Sequence, residues 1–192
     1  ELKYFFSAAI PATGEGEAHS AEAVRHRIKT LIENETLDTV LSDDQLVDEL
    51  IAADVLVIGT PLYNFGMPAA LKAWIDQIVR PGKTVDIDTS NPDDPYTPLL
   101  ADRPRHAVIL TARGGVGFGP GGELEALNHL EPALITALNF LGINQIHQIA
   151  IEGQEIGGEV LTNSVALAQR QIDALVQDLS RQLQSTPIAE PA

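Results

Sequence analysis

The sequence contains no cysteine, which excludes disulfide bonds and thiolate ligands for a metal ion. Basic residues are also few, since 12 lysines and arginines stand against 27 aspartates and glutamates, for a formal net charge of −15. A charge of this sign and size repels phosphate backbones and anionic lipid surfaces. We therefore expect neither nucleic acid nor a membrane as a partner.

Long apolar runs are missing as well. No stretch reaches the roughly 18 residues that a membrane span needs, and no signal segment is recognised, so a cytoplasmic location is expected. At 192 residues the chain suits one domain with a sizeable core. We predict a single domain over residues 1–184 and a flexible tail over residues 185–192.

Short apolar runs alternate with stretches of helical periodicity, which is typical of parallel strands linked by crossover helices. Val55-Leu56-Val57-Ile58 is apolar at every position, so both faces of the sheet are expected to be covered. The predicted strands are Leu2 to Ser7, Thr36 to Val40, Asp54 to Gly59, His106 to Ala112 and Gln145 to Ile151. The predicted helices are Ser20 to Glu33, Ser42 to Ala52, Pro68 to Val79, Glu123 to Leu141 and Glu159 to Gln184.

Two features outside the strand ends have plainer interpretations. Trp74 recurs with Leu71, Ile75 and Ile78 at helical spacing, which indicates a core or dimer face rather than a substrate contact. The segment 86–98 is rich in Asp, Asn and Pro, and we predict a solvated loop there. Its acidity would also suit calcium, but the glycine and terminal glutamate of a calcium-loop motif are missing.

Three loops follow the first, third and fourth predicted strands, which lie side by side in a doubly wound sheet. The first runs from Ser7 to Ser20 and carries hydroxyls at both ends and two glycines between them. Hydroxyls and free amides at a helix start can bind phosphate. A plain capped helix explains the loop equally well, because Glu15 and Glu17 disfavour an anion.

The second loop is Thr60-Pro61-Leu62-Tyr63-Asn64-Phe65-Gly66-Met67-Pro68, directly after a buried strand. Tyr63 and Phe65 offer flat faces for stacking, and Gly66 allows close backbone approach to a ring. Exposed backbone amides of this kind suit the edge of an isoalloxazine. The alternative is an ordinary turn with both aromatics tucked into the core.

The third loop is the glycine-dense run that starts Thr111-Ala112-Arg113-Gly114-Gly115 and continues to Gly122. Such backbone can wrap the edge of a ligand. Arg113 would add positive charge near a reduced flavin or a nicotinamide phosphate. A mobile surface loop with an arginine remains the alternative.

The segment from Pro61 to Asp76, followed by Arg80-Pro81-Gly82-Lys83-Thr84, resembles the FMN-dependent NADH azoreductase and quinone reductase family. Arg113-Gly114-Gly115, then Phe140-Leu141-Gly142-Ile143 and Glu152-Gly153, are similar to later motifs of that family. The chain departs from it at Thr84-Val85, where the family usually has Thr-Phe, and in a shorter connection between Val40 and Ser42.

The resemblance implies a flavodoxin-like α/β fold, with a five-stranded parallel sheet of order 2-1-3-4-5 and helices on both faces. It implies a homodimer that binds FMN, with NADH or NADPH as co-substrate and quinones or azo compounds reduced by a ping-pong mechanism. The flavin itself would perform hydride transfer, so no catalytic residue is expected. No metal is expected either, because the five histidines are scattered and no pair has the i, i+4 spacing of a metal site. The residues implied to bind the cofactor are Ser7, Ala18, His19, Ser20, Pro61, Leu62, Tyr63, Asn64, Phe65, Ala112, Arg113, Gly114 and Gly115.

Two other functions remain open from the residues alone. A flavodoxin-type one-electron carrier is also small and acidic, but it needs no nicotinamide site. A module that kept the fold and lost the site is compatible with the unusual amino-terminal third.

Overall fold

The computed structural model describes residues 6–11 and 43–185. The predicted strand Thr36 to Val40 and the predicted helix Ser20 to Glu33 lie outside these residues. The described strands and helices, in chain order, are β1 (Phe6–Pro11), α1 (Asp43–Ala52), β2 (Ala53–Pro61), α2 (Ala69–Ile78), β3 (Val85–Ile87), β4 (Tyr96–Pro98), β5 (His106–Ala112), α3 (Glu131–Leu141), β6 (Gln145–Ile151) and α4 (Gly158–Ser185).

The described part of the main sheet has the order β1-β2-β5-β6. β2 pairs with β5 and β5 with β6, both in parallel, so the predicted neighbours and directions of these three strands are confirmed. The bounds of β5 and β6 are those predicted, and β2 is one residue longer at its start and two at its end. The apolar runs predicted β2 and β5 because both strands are largely buried between two layers of helix, whereas β6 is only half-buried.

The first strand requires a correction. It spans Phe6–Pro11 rather than Leu2 to Ser7, and it runs antiparallel to β2, with Ser7 opposite Ile58. Its position beside β2 is as predicted, but its direction is reversed, so the chain after Pro11 leaves from the amino end of β2. An apolar run determines that a strand forms, whereas its direction depends on the connection, here residues 12–42.

Helices cover the sheet as expected, with α1, α2 and α4 within about a residue of their predicted bounds. The fourth predicted helix is wrong in its first turns. A short 3₁₀ helix (Glu125–Leu127) comes first, Asn128 is extended, and α3 begins only at Glu131. Pro132 in the first turn marks this start, since proline fits the first helical positions and disrupts later ones.

The segment 86–98 is also more ordered than predicted. Its ends form a β-hairpin in which β3 pairs antiparallel with β4. Between them, Asp88 accepts hydrogen bonds from the backbone N–H and the hydroxyl of Ser90, a local turn that aspartate favours. The ring of Tyr96 lies edge-on to Phe140, with centroids 5.2 Å apart.

Two apolar clusters hold the helices against the sheet. One joins α1, α2 and α3 to one face of the sheet and contains Trp74, which is 5 % exposed, so its predicted place in the core is confirmed. Val85, which takes the place of the family's phenylalanine, is buried in the same cluster. The other packs α4 against the opposite face. No helix within residues 6–11 and 43–185 has the length and apolar character of a membrane span.

Candidate functional site

The loop after β2 is a tight turn that closes on itself. Tyr63 and Gly66 exchange backbone hydrogen bonds of 3.0 and 2.9 Å. The two residues between them, Asn64 and Phe65, have φ of +45° and +69°. Positive φ at both central positions defines a type I′ turn, which suits asparagine and strains phenylalanine. Strain of this kind is typical of ligand sites.

The turn presents its aromatic side chains outward. Tyr63 is 44 % exposed and Phe65 is 49 % exposed. The alternative interpretation, in which both rings are tucked into the core, is therefore wrong. Leu62 and Pro61, where β2 ends, are half-buried beneath the turn.

The loops after β2 and β5 lie together at the carboxyl edge of the sheet. The backbone N–H of Leu62 donates to the carbonyl of Ala112 at 2.9 Å. The N–H of His129 donates to the carbonyl of Phe65 at 2.9 Å, and the ring of Phe65 lies 6.3 Å from that of Phe118, centroid to centroid. Two of the three predicted loops are thus one continuous surface.

Arg113 departs from its predicted electrostatic role. Its side chain is only 5 % exposed and forms ion pairs with Glu131 on α3 and, at 2.8 Å, with Glu152 after β6. Thr111 also donates to Glu131, at 2.9 Å. A guanidinium held between two carboxylates offers no free positive charge. We therefore assign the side chain of Arg113 a structural role, in which its ion pairs hold the start of the glycine-rich loop.

Glu152 holds the glycine-rich loop through hydrogen bonds to the loop backbone. Its carboxylate accepts the backbone N–H groups of Gly117 and Phe118, at 3.1 and 3.2 Å, besides the guanidinium of Arg113. Burial disfavours the charged form, but these donors and the charge of Arg113 outweigh it and hold the pKa of Glu152 below its ordinary value. The carboxylate of Glu152 is therefore ionised near neutral pH.

Close packing constrains three glycines of this loop, Gly114, Gly115 and Gly122. A Cβ on Gly122 would lie 2.1 Å from the carbonyl oxygen of Gly117, and one on Gly115 would lie 3.2 Å from the ring of Phe118. Gly114 faces the flexible carboxylate of Glu155, at 2.7 Å. A side chain is therefore excluded at Gly122, where the neighbour is backbone, whereas at Gly114 and Gly115 the neighbouring side chains would have to shift.

Several amide groups at this edge donate to no acceptor within the part of the chain that the structure describes. Among the described residues, no acceptor is assigned to the backbone N–H groups of Asn64, Phe65, Gly114 and Gly115. Such donors beside half-exposed aromatic rings, at the carboxyl ends of parallel strands, fit a flat heteroaromatic group with acceptor atoms on its rim, such as an isoalloxazine.

The predicted phosphate residues are only partly located. The backbone of Ser7 lies opposite Ile58, one pair in from the carboxyl edge. Ala18, His19 and Ser20 lie outside the described residues. The reversed direction of β1 means that the segment after Pro11 does not start from the edge at which Leu62 and Ala112 meet.

Sequence reasoning missed four residues of this site: Phe118, Asn128, Glu131 and Glu152. Asn128 donates to the carbonyl of Phe118 at 3.1 Å, and its side-chain oxygen accepts from the N–H of Leu130 at 3.2 Å. Glu152-Gly153 stood among the family-like motifs without a role. No spacing in the sequence indicated that these residues meet, because they come from three separate segments.

Comparison with known proteins agrees with this fold. The sequence model of a protein family that is described as having a flavodoxin-like fold matches residues 13–176. The chain belongs to this family.

Two bacterial relatives are similar in sequence over most of the chain. One, from Pseudomonas fluorescens, is named FMN-dependent NADH:quinone oxidoreductase 1 and is 53 % identical over 135 residues, or 70 % of this chain and 62 % of the relative. Another, from Pseudomonas aeruginosa, is named FMN-dependent NAD(P)H:quinone oxidoreductase 1 and is 51 % identical over 140 residues, or 73 % and 65 %. The chain thus spans less than two thirds of the length of either.

Among solved structures, an FMN-dependent NADH-azoreductase from Bacillus anthracis, in complex with FMN, superposes with a TM-score of 0.62. It is 19 % identical, and the match covers 83 % of this chain and 65 % of that one. A likeness at this identity supports the fold, and the site must be argued from the residues.

Proposed function

We propose that the chain is an FMN-dependent oxidoreductase that uses NADH or NADPH to reduce quinones and azo compounds by a ping-pong mechanism. The bound flavin would supply the hydride chemistry, accepting from the nicotinamide and passing to the acceptor. The observation that carries this proposal is the continuous edge formed by the strained Tyr63–Gly66 turn and the glycine-rich loop. The names of the relatives agree with it.

The residues after β2 and β5 would bind the isoalloxazine. Tyr63 and Phe65 offer exposed ring faces for stacking. The N–H groups of Asn64, Phe65, Gly114 and Gly115, which have no acceptor among the described residues, can donate to acceptor atoms. Arg113 contributes through its buried ion pairs, which fix the backbone on either side. The proposed isoalloxazine residues are Pro61, Leu62, Tyr63, Asn64, Phe65, Ala112, Arg113, Gly114 and Gly115.

For the phosphate we propose Ser7 and the segment Ala18-His19-Ser20, by the family resemblance. Titration with FMN and with riboflavin, which lacks the phosphate, isolates this contact. Ser20→Ala should weaken FMN binding by about tenfold and leave riboflavin binding unchanged, because one charge-assisted hydrogen bond is lost. Equal effects on both ligands would remove Ser20 from the phosphate site.

The wider setting of the proposal follows the sequence expectations. We propose one FMN-binding domain over residues 1–184 and a flexible tail over 185–192, acting as a cytoplasmic homodimer. A fifth strand from Thr36 to Val40 beside β1 would complete the order 2-1-3-4-5. The net charge of −15 supports small-molecule partners over nucleic acid and membranes.

One anaerobic titration tests the activity. Purified protein is loaded with FMN, freed of excess FMN, and titrated with NADH and then with a benzoquinone, while the flavin absorbance near 450 nm is followed. One equivalent of NADH should bleach the flavin band, and the quinone should restore it. Loss of FMN on gel filtration would overturn the proposal. Tight FMN that NADH fails to bleach would favour the one-electron carrier.

A matched pair of variants places the binding site. Phe65 and Tyr96 are each 49 % exposed, but Tyr96 lies on the β3–β4 hairpin, outside the proposed site. Phe65→Ala should raise the Kd for FMN by about tenfold, as expected for the loss of one stacked ring. Tyr96→Ala should leave it unchanged. Equal Kd values for the two variants would place the flavin elsewhere.

A further inference from the structure

Glu152 connects three separate segments of the described chain, namely the end of its own strand, the glycine-rich loop after β5 and the helix α4. Its carboxylate bonds to the guanidinium of Arg113 after β5 and to the N–H groups of Gly117 and Phe118 in the glycine-rich loop. Its own backbone N–H donates to the hydroxyl of Ser164 on α4 at 2.8 Å. Glu152 is thus tied to the glycine-rich loop through its carboxylate and to the long helix through its backbone N–H.

The peptide groups around Phe118 are held from both sides. Its N–H donates to Glu152, and its carbonyl accepts from the side-chain amide of Asn128 at 3.1 Å. With the backbone fixed, the ring is 8 % exposed and lies beside the half-exposed ring of Phe65, 6.3 Å away and inclined by 39°. Phe118 is therefore a buried ring that lies behind the exposed ring of Phe65 and limits where that ring can move.

We propose that Glu152 is a positioning residue that holds Phe118 against Phe65 and so sets the aromatic face offered to the isoalloxazine. This inference rests on the proposed function and deepens it, because it adds Glu152 and Phe118 to the site. Glu152 acts through Phe118, and its contact with a proposed isoalloxazine residue is with the buried guanidinium of Arg113.

A carboxylate is needed because three donors converge on one side chain. An ionised carboxylate accepts on both oxygens, whereas a glutamine has one acceptor oxygen and an NH₂ group that would face a donor. Replacing Glu152 by glutamine keeps the volume but sacrifices at least one of the three bonds. The arrangement predicts that the loop shifts at Gly117 and Phe118 first.

The test measures FMN affinity by quenching of flavin fluorescence, well below the melting temperature of each variant. Glu152→Gln should raise the Kd about tenfold, since charge-assisted hydrogen bonds to the loop are lost. Glu159→Gln, at the exposed start of α4, is the control and should match the wild type. The visible circular dichroism of flavin bound at saturation should change in Glu152→Gln, which a purely stabilising role would not cause.

Phe118→Leu provides a second variant that leaves every buried charge in place. It should weaken FMN binding as Glu152→Gln does, and the double variant should be no weaker than either single one, because both act on the same contact. Additive effects, or a Glu152→Gln variant with wild-type Kd and dichroism, would overturn the inference. Failure of the wild type to bind FMN would instead overturn the proposed function, and this inference with it.

Discussion

Nδ1 of His106 lies 3.2 Å from Nε2 of His147, and the two rings stack with centroids 5.5 Å apart. His106 begins β5 and is buried, while His147 lies on the neighbouring strand β6. Burial lowers the pKa of both rings, and the charge that His147 would carry lowers the pKa of His106 further. Asp178 on α4 opposes both shifts.

The protein should lose stability as the pH falls from about 7.5 to 5.5. In the unfolded chain histidine titrates near pH 6.5, whereas the pair resists protonation when folded, so the unfolded state binds more protons in this window. The stabilisation is complete above the unfolded pKa and is lost below it. Urea midpoints at several pH values measure this, and His147→Gln should flatten the slope. An unchanged slope in that variant would assign the pH dependence to other groups.

Arg113→Ala should lower the free energy of unfolding by about 3–5 kcal/mol, because Glu131 would remain buried without its ionic partner. Lys72→Ala removes an exposed pair with Asp76 and should cost less than about 1 kcal/mol. Urea denaturation of both variants makes the comparison. Similar small losses in the two would contradict the buried network.

Phe65→Gly should be more stable than Phe65→Ala by about 1 kcal/mol, the reverse of the usual order for these residues. Both variants lose the same ring, but alanine at a φ of +69° retains the left-handed strain that glycine relieves. Thermal melting compares them, and FMN binding should be weakened in both. An alanine variant as stable as the glycine variant would be inconsistent with the type I′ turn.

Gly142→Ala should destabilise the protein by about 2–3 kcal/mol. Gly142 ends α3 with a φ of +99°, and a Cβ there would lie 2.5 Å from the backbone nitrogen of Ala101. Gly82→Ala is the matched control, since its φ is +76° but no atom lies within 4 Å of the added carbon. Its cost should be about 1 kcal/mol, and equal costs would show that strain alone acts at both positions.

β2 and β5, which are largely buried on both faces, were predictable from sequence. The bounds of β5 and of the half-buried β6 are those predicted. Runs such as Val55 to Ile58 have few other ways to bury every side chain. The direction of β1 was not predictable, since an edge strand of the same composition can pair either way. The start of α3 was missed because its helical period was extended back past Asn128, although Pro132 marked the true first turn.

The candidate site was predictable where one short segment carries it. Tyr63, Asn64 and Phe65 are consecutive, and the turn follows from strand end, aromatic residues and glycine. The ion pairs that hold the other loop were not predictable from sequence. Glu131 and Glu152 lie 18 and 39 residues after Arg113 and meet it only when three segments pack together. Arg113 was consequently taken for a free charge, whereas its partners neutralise it.

Two backbone hydrogen bonds between Tyr63 and Gly66 hold the left-handed turn in one shape. A binding surface that needs no rearrangement loses little conformational entropy when a flat ligand binds to it, so more of the contact energy remains as affinity. Capture would then be limited by diffusion and orientation, and the association rate should rise in proportion to flavin concentration without reaching a plateau.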